Sequence, residues 1–402
     1  MEIFHDLEIS TLYQLWELLF GKFPDSSDIE RWMSQSFSFG VNFCLSQTQG
    51  GPCGVLAPIQ ALIIKSLVFG KSKNYEKLPE PEISQIFDSL LNALCYTLSR
   101  VSESEICAVI IQPTDSAIPI VKIAKIENLN SYKSLISERF SDFVDSPYSV
   151  LQFVVSIILT KSIQSVKDDM DDHTTPLIGR FGHCSQELVN LMLTGRATSN
   201  VFDGVQDLGD GLILRGVENE TPLPVGYLSE LETLRYVTVG NILKFPSLPL
   251  WIVGSPTHYT VLFGLKATDA AVSAERAVDL EIRKAFNSNA FDEGIARSED
   301  LHKIIHALKI PNDALPRATK FLVQEGVVLL SDFEDWAMKE MGFSKRDSKP
   351  HSDLNLWLIN GQEPVTVTPV IVSFNSLEGD DDSFAATLQT RWPEASVKVI
   401  KD

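Results

Sequence analysis

The stretch Gln47-Thr-Gln-Gly-Gly-Pro-Cys53-Gly-Val-Leu-Ala-Pro58 constrains this chain more than any other. A Gly-Gly-Pro turn delivers Cys53 to the start of an apolar run, Val55 to Ile64. The run reads as a helix reaching about Val68, with Gly70 as its stop. Pro58 lies within the first turns, where proline is tolerated only if the helix begins close to the cysteine. A thiol at that position has a reason to ionise, because unpaired N–H groups and the positive end of the helix dipole favour the thiolate. Gln47, six residues upstream, is placed to donate an N–H to a developing oxyanion.

This spacing is similar to that of papain-like cysteine proteases, and it suggests a thiol hydrolase. Such an enzyme needs a nucleophile, an imidazole and an oxyanion donor. The chain has seven histidines. His5 is terminal, His173 follows the acidic run Asp168 to Asp172, His302 and His306 belong to a helical segment, and His351 is in a loop. His183 and His258 remain. His258, in Trp251-Ile-Val-Gly-Ser-Pro-Thr-His258, opens an apolar strand that can hold an imidazole rigidly, so it is the expected general base and acid. His183 reads as structural, bonded to the loop around Gly182. The segment after Leu193 is dense in small and polar residues and suggests a substrate-facing wall, with Asn200 and Asp203 as weak substrate-binding candidates. A helix cap followed by a tight turn explains each of them as well.

Cys44, Cys95, Cys107 and Cys184 complete five cysteines, with no CxxC pair and no zinc spacing. No metal and no cofactor is expected. The net charge of −19 argues against nucleic acid or an anionic membrane as the main partner. Met1 to Phe20 lacks the basic start and cleavage site of a signal peptide. The longest apolar stretches fall short of the ~20 residues that a membrane span needs. The expectation is a reduced intracellular protein, cytosolic or nuclear.

Hydrophobic periodicity places helices at Leu12–Leu19, Glu82–Arg100, Tyr148–Lys161 and Glu187–Leu193. Strands are expected at Cys107–Gln112, Ile118–Ile126, Leu212–Leu214, Tyr236–Val239, Leu250–Val253 and Tyr259–Phe263. Lys71–Pro81 reads as a linker. From Ala271 the pattern changes to helices and polar loops, and strand-like sequence returns at Leu354–Ile359, Val365–Phe374 and Val397–Ile400. Ser344–Asp353 and Glu378–Asp382 read as loops. The expected division is 1–270 with the cysteine and histidine motifs, 271–345 as a helical insertion, and 346–402 as strands completing the first part. Within the insertion, Asn287–Asp300 resembles a calcium-hand loop with Gly294 at its sharp turn. Phe291 in the third position supplies no side-chain oxygen, and Asp300 stands where glutamate is usual.

The cysteine motif, the segment Leu193-Thr-Gly-Arg-Ala-Thr-Ser-Asn-Val-Phe-Asp-Gly and the motif ending in His258 together resemble the MINDY deubiquitinases. They look most like the branch of the third and fourth paralogues, the third above all, which also carries a degenerate EF-hand-like segment and a tail with Thr390-Arg-Trp-Pro. The resemblance implies an α+β, papain-like peptidase fold of the MINDY type that cleaves isopeptide bonds in polyubiquitin, with a preference for lysine-forty-eight-linked chains. It implies Cys53 as nucleophile, His258 as general base and acid, and Gln47 as oxyanion donor. Cys184 stands where this branch leads one to expect glycine, and Phe202 where it leads one to expect tryptophan. The residue that orients His258 is not readable. The rival reading is a catalytically dormant ubiquitin-binding scaffold.

Overall fold

The computed structural model describes residues 3–70, 75–114, 118–209, 211–219, 221–271, 274–291, 294–343, 352–374, 376, 378–393 and 395–400. Helices and sheets are mixed, and the chain divides into two units, Met1–Ala270 with Leu354–Asp402, and Ala271–Asp353.

The first unit is organised around a six-stranded sheet. Its strands are β1 (Gly226–Ser229), β2 (Leu250–Gly254), β3 (Tyr259–Gly264), β4 (Leu354–Asn360), β5 (Thr366–Ser373) and β6 (Ser396–Val399). They lie side by side in chain order, antiparallel except for the parallel β1–β2 pair. The register Leu356↔Gly264 to Ile359↔Val261 makes β3 and β4 direct neighbours, although the second unit separates them in sequence.

Alternation of side chains gives the sheet two apolar faces. Trp251, Val253, Leu262 and Leu356 pack with Leu388 and Trp392 of the C-terminal segment. Leu250, Ile252, Val261, Phe263 and Ile359 face the main core. At the centre of that core lies the Cys53–Ile64 helix, buried at all twelve positions, as befits a helix apolar on every side. Around it stand helices Ile9–Phe20, Ile83–Ser99, Ser149–Lys161 and Gln186–Thr194, and a separate three-stranded sheet of His5–Asp6, Ile120–Ile126 and Ile106–Gln112.

Among its described residues the second unit has four α-helices, Ala274–Asn287, Leu301–Ala307, Leu315–Leu322 and Leu330–Glu340. Two short antiparallel strands, Ile295–Arg297 and Val327–Leu329, link its two helix–strand–helix halves. It has its own core, including Ile282, Phe286, Ile304 and Phe333.

Tyr236–Val239 forms no strand: Arg235 takes a left-handed turn at φ 62, and Tyr236 is exposed. The segment is held instead by the Val239 N–H donating to Glu232 Oε1 at 3.0 Å. Part of the Lys71–Pro81 linker (71–74) and part of the Ser344–Asp353 loop (344–351) lie outside the described residues. The acidic run ends in a helix that periodicity did not reveal, Ser383–Gln389, whose N-terminus Asp382 caps through the Ala385 N–H at 2.8 Å. Among the described residues, no single helix is long and apolar enough to cross a membrane.

Candidate active site

The Gly-Gly-Pro turn starts its helix at the cysteine. The N–H groups of Val55 and Leu56 both donate to Pro52 O, at 2.9 and 3.0 Å, so Cys53 is the first helical residue. Gly51 has φ +133, and a β-carbon there would sit 2.9 Å from Gly182 O, so only glycine fits. Further along the same helix, buried Gln60 accepts from the Leu45 N–H at 2.6 Å and donates to Phe43 O at 3.2 Å. The helix thereby pins the segment that leads into Gln47.

Gln47 is held by its backbone from the other side. Its N–H donates to Gly361 O at 2.8 Å and its carbonyl accepts from the Glu363 N–H at 3.1 Å. The side-chain Nε2 donates to Gln49 O at 2.6 Å, and the same side chain favours the Cys53 thiolate.

His258 ends the tight turn between β2 and β3, fixed by the Ser255 N–H donating to His258 O at 2.8 Å. Its Nε2 lies 2.8 Å from Asn360 Oδ1. The same Oδ1 accepts the Gln362 N–H at 3.0 Å, which identifies that atom as the amide oxygen. Facing an acceptor, Nε2 must carry the hydrogen, and Nδ1 is left as the free base. Asn360 is the last residue of β4, one position past the Ile359↔Val261 pair, and the β3–β4 register brings it to the start of β3.

A cleft of about 290 Å³ collects these groups: Gln47, Cys53, His258, Tyr259 and Gly361 line it together with apolar Leu56, Val261 and Ile359. Its electrostatics run against one expectation. Cys53 is only 3% exposed, and burial pushes its thiol above the ordinary value. The Tyr259, Gly54 and Cys53 N–H groups and the Gln47 side chain pull the other way but do not win. Burial likewise holds His258 below its ordinary value; the Asn360 hydrogen bond opposes this and the nearby His183 reinforces it. The helix N-terminus therefore does not ionise the thiol at rest, because loss of water costs the anion more than the donors return. Thiol and imidazole are both neutral, and the thiol donates to Gly51 O at 3.7 Å. Among the described residues, no hydrogen bond joins Cys53 Sγ to His258.

The other candidates stand elsewhere. Asn200 Nδ2 donates to Asp171 Oδ2 at 2.6 Å and to Arg215 O at 3.0 Å, tying down a loop. Asp203 caps the short helix Asn241–Lys244, accepting from the Asn241 and Ile242 N–H groups at 2.7 and 3.0 Å. Neither lines the cleft. Cys44 and Cys95 are raised by burial to about 12 and about 11. Sequence reasoning missed Asn360. Its only local signal is an asparagine at a strand end before glycine, a turn signature with no chemistry attached. No group of three or more histidine, cysteine or acidic side chains among the described residues is arranged to hold a metal ion.

The chain has named relatives in sequence. Residues 16–284 match the family described as "Deubiquitinating enzyme MINDY-3/4, conserved domain", a stretch that contains Gln47, Cys53 and His258. The chain is 32% identical to the human (Homo sapiens) ubiquitin carboxyl-terminal hydrolase MINDY-3 over 94% of its own length and 95% of the relative's. The zebrafish (Danio rerio) protein of the same name is 29% identical over 94% of each chain. A probable ubiquitin carboxyl-terminal hydrolase MINDY-4 from Mus musculus is 34% identical over 65% of this chain and 38% of the relative. No solved structure matches.

Proposed function

Since the chain belongs to the MINDY-3/4 family of deubiquitinating enzymes, we propose that it hydrolyses isopeptide bonds in polyubiquitin, lysine-forty-eight-linked chains in particular, with Cys53 as nucleophile. The observation that carries the mechanism is the Asn360–His258 hydrogen bond at the edge of the cleft that holds Cys53 and Gln47. It leaves His258 Nδ1 unprotonated and available as the base. His258 takes the Cys53 proton, and the thiolate attacks the carbonyl carbon of the isopeptide. The Gln47 side-chain N–H and the Cys53 backbone N–H receive the oxyanion. The imidazolium then protonates the departing lysine amine, and a water activated by the same Nδ1 hydrolyses the thioester. Asn360 holds the ring in this tautomer throughout.

The arrangement is papain-like in outline: a buried helix presents the thiol, and a mostly antiparallel sheet packed against it presents the imidazole. The second unit reads as a degenerate EF-hand pair, two helix–loop–helix halves joined through a short β-ribbon. Substrate partners are polyubiquitin and ubiquitinated proteins.

One observation favours the dormant-scaffold reading. Cys53 is protonated at rest and bonded to its own turn rather than to His258. A ubiquitin probe with a C-terminal electrophile separates the two readings. The expected result is a covalent adduct on wild type that Cys53→Ala abolishes, and cleavage of lysine-forty-eight-linked chains by wild type alone. No adduct, even with long chains present, leaves the scaffold reading in place.

A further inference from the structure

Cys53 is not the only thiol at the catalytic turn. Cys184 Sγ donates to Gly51 O at 3.5 Å, the same oxygen that receives Cys53 Sγ at 3.7 Å. Among the described residues, no other two cysteines share a partner atom. Cys184 precedes Ser185, the N-cap of the Gln186–Thr194 helix, and its backbone is fixed by a bridge to Ile178. Its side chain leans over the first turn of the Cys53 helix: a β-carbon on Gly54 would stand 2.6 Å from Cys184 Cβ and 2.9 Å from its sulfur. The glycine therefore opens the notch that the second thiol fills. Charge on Cys53 is among the causes that hold Cys184 protonated, after burial. The two thiols thus converge on one acceptor, and a disulfide between them requires both to turn from Gly51 O toward one another.

We propose that Cys53 and Cys184 form a reversible disulfide under peroxide, making this pair an oxidative modification site in which Cys184 is the resolving cysteine. The inference rests on the reading of Cys53 as nucleophile. The oxidant is hydrogen peroxide. The Cys53 thiolate, formed when His258 takes its proton, attacks one peroxide oxygen and the O–O bond breaks. The sulfur becomes a sulfenic acid, and the hydroxide released takes the imidazolium proton to become water. The Cys184 sulfur then attacks the Cys53 sulfur, and the sulfenic hydroxyl leaves with the Cys184 proton as a second water. Two thiols have lost two hydrogens, and one peroxide has become two waters. The disulfide removes the nucleophile but protects it from further oxidation to the sulfinic acid, which is irreversible.

The test treats the full-length chain with hydrogen peroxide, blocks free thiols and maps peptides without reduction, with ubiquitin-probe labelling before and after dithiothreitol. The expected result is a peptide joining residues 53 and 184, two hydrogens lighter than the separate peptides, and loss of labelling that dithiothreitol reverses. In Cys184→Ala, labelling before oxidation is retained, but peroxide drives Cys53 to the sulfinic acid and dithiothreitol restores nothing. Sulfinic Cys53 beside a free Cys184 thiol in wild type overturns the proposal. So does recovery that is the same in wild type and Cys184→Ala. If wild type never labels with the probe, the proposed function fails while the wild-type peptide map still decides the cross-link. That map also decides it if Cys184→Ala does not fold.

Discussion

A single acceptor oxygen, Asn360 Oδ1, sets the tautomer of His258, and its effect is open to measurement. Asn360→Ala is expected to lower kcat on the order of tenfold or more with little change in KM, because the ring loses its tautomer while substrate contacts remain. The pH profile carries the sign. His258 must be neutral to accept the Cys53 proton, and burial holds it below its ordinary 6.5, so the acid limb of kcat/KM lies below pH 6.5. Asn360→Asp places a carboxylate beside the ring and stabilises the imidazolium, which moves the acid limb to higher pH. Asn360→Ala removes a bond that raises the ring and moves the limb lower. Steady-state cleavage across pH checks both, and an acid limb that stays put in both variants removes Asn360 from the mechanism. Gln47→Ala is expected to reduce kcat by about 10²–10³, the scale of a lost oxyanion donor.

Elements matter here for how closely they approach. The Cys53 helix and the Gln186–Thr194 helix meet at Gly54, where an added β-carbon would meet Cys184 Cβ at 2.6 Å and Val189 Cγ2 at 2.9 Å. Alanine at 54 gains up to ~1 kcal/mol of helix propensity, but overpacking costs about 1–3 kcal/mol. The net expectation is destabilisation, read as a lower denaturant midpoint, with partial recovery in the Gly54→Ala/Cys184→Gly double variant. Asp203→Ala removes a helix cap and is expected to cost about 1 kcal/mol while leaving probe labelling intact. Loss of labelling in a folded Asp203→Ala protein would return Asp203 to the substrate site. The sequence showed long apolar helices and alternating strands such as Leu250–Gly254 and Tyr259–Gly264 well, because their periodicity is local. It misread Tyr236–Val239 as a short strand, and among the described residues no strand pairs with it.

At the scale of the whole molecule, the six-stranded sheet takes half its strands from the C-terminal segment. β4 lies between β3 and β5, so a chain ending at residue 353 would lose three strands, Asn360 and the backbone partners of Gln47. Such a truncation is expected to be insoluble or to unfold without cooperativity. Replacing 271–353 by a short flexible linker joins two strands that are already neighbours and removes a unit with its own core. That protein is expected to fold and to keep Cys53 labelling, with intact mass after probe treatment as the measurement. In the loop of the second unit, Phe291 occupies a position that needs an oxygen, and Asp300 is engaged by Lys303 at 2.7 Å. Calcium is expected to leave the melting temperature unchanged.

The setting of Cys53, the proposed nucleophile, was legible in the sequence because it is built from consecutive residues. A Gly-Gly-Pro turn, a cysteine and an apolar helix need only local backbone rules, and His258 announced itself by opening a strand. Asn360 was not legible, because a strand pairing across an eighty-three-residue insertion decides what stands beside the imidazole. The same holds for Cys184, whose place beside Gly54 depends on two helices packing. The charge state was misread for a related reason. The helix terminus that favours a thiolate is local, but the dehydration that opposes it arises only when helix, sheet and C-terminal turn close around the sulfur. Sequence determined which groups could do the chemistry; tertiary structure decided their protonation and their neighbours, because burial and through-space contact exist only in the assembled fold.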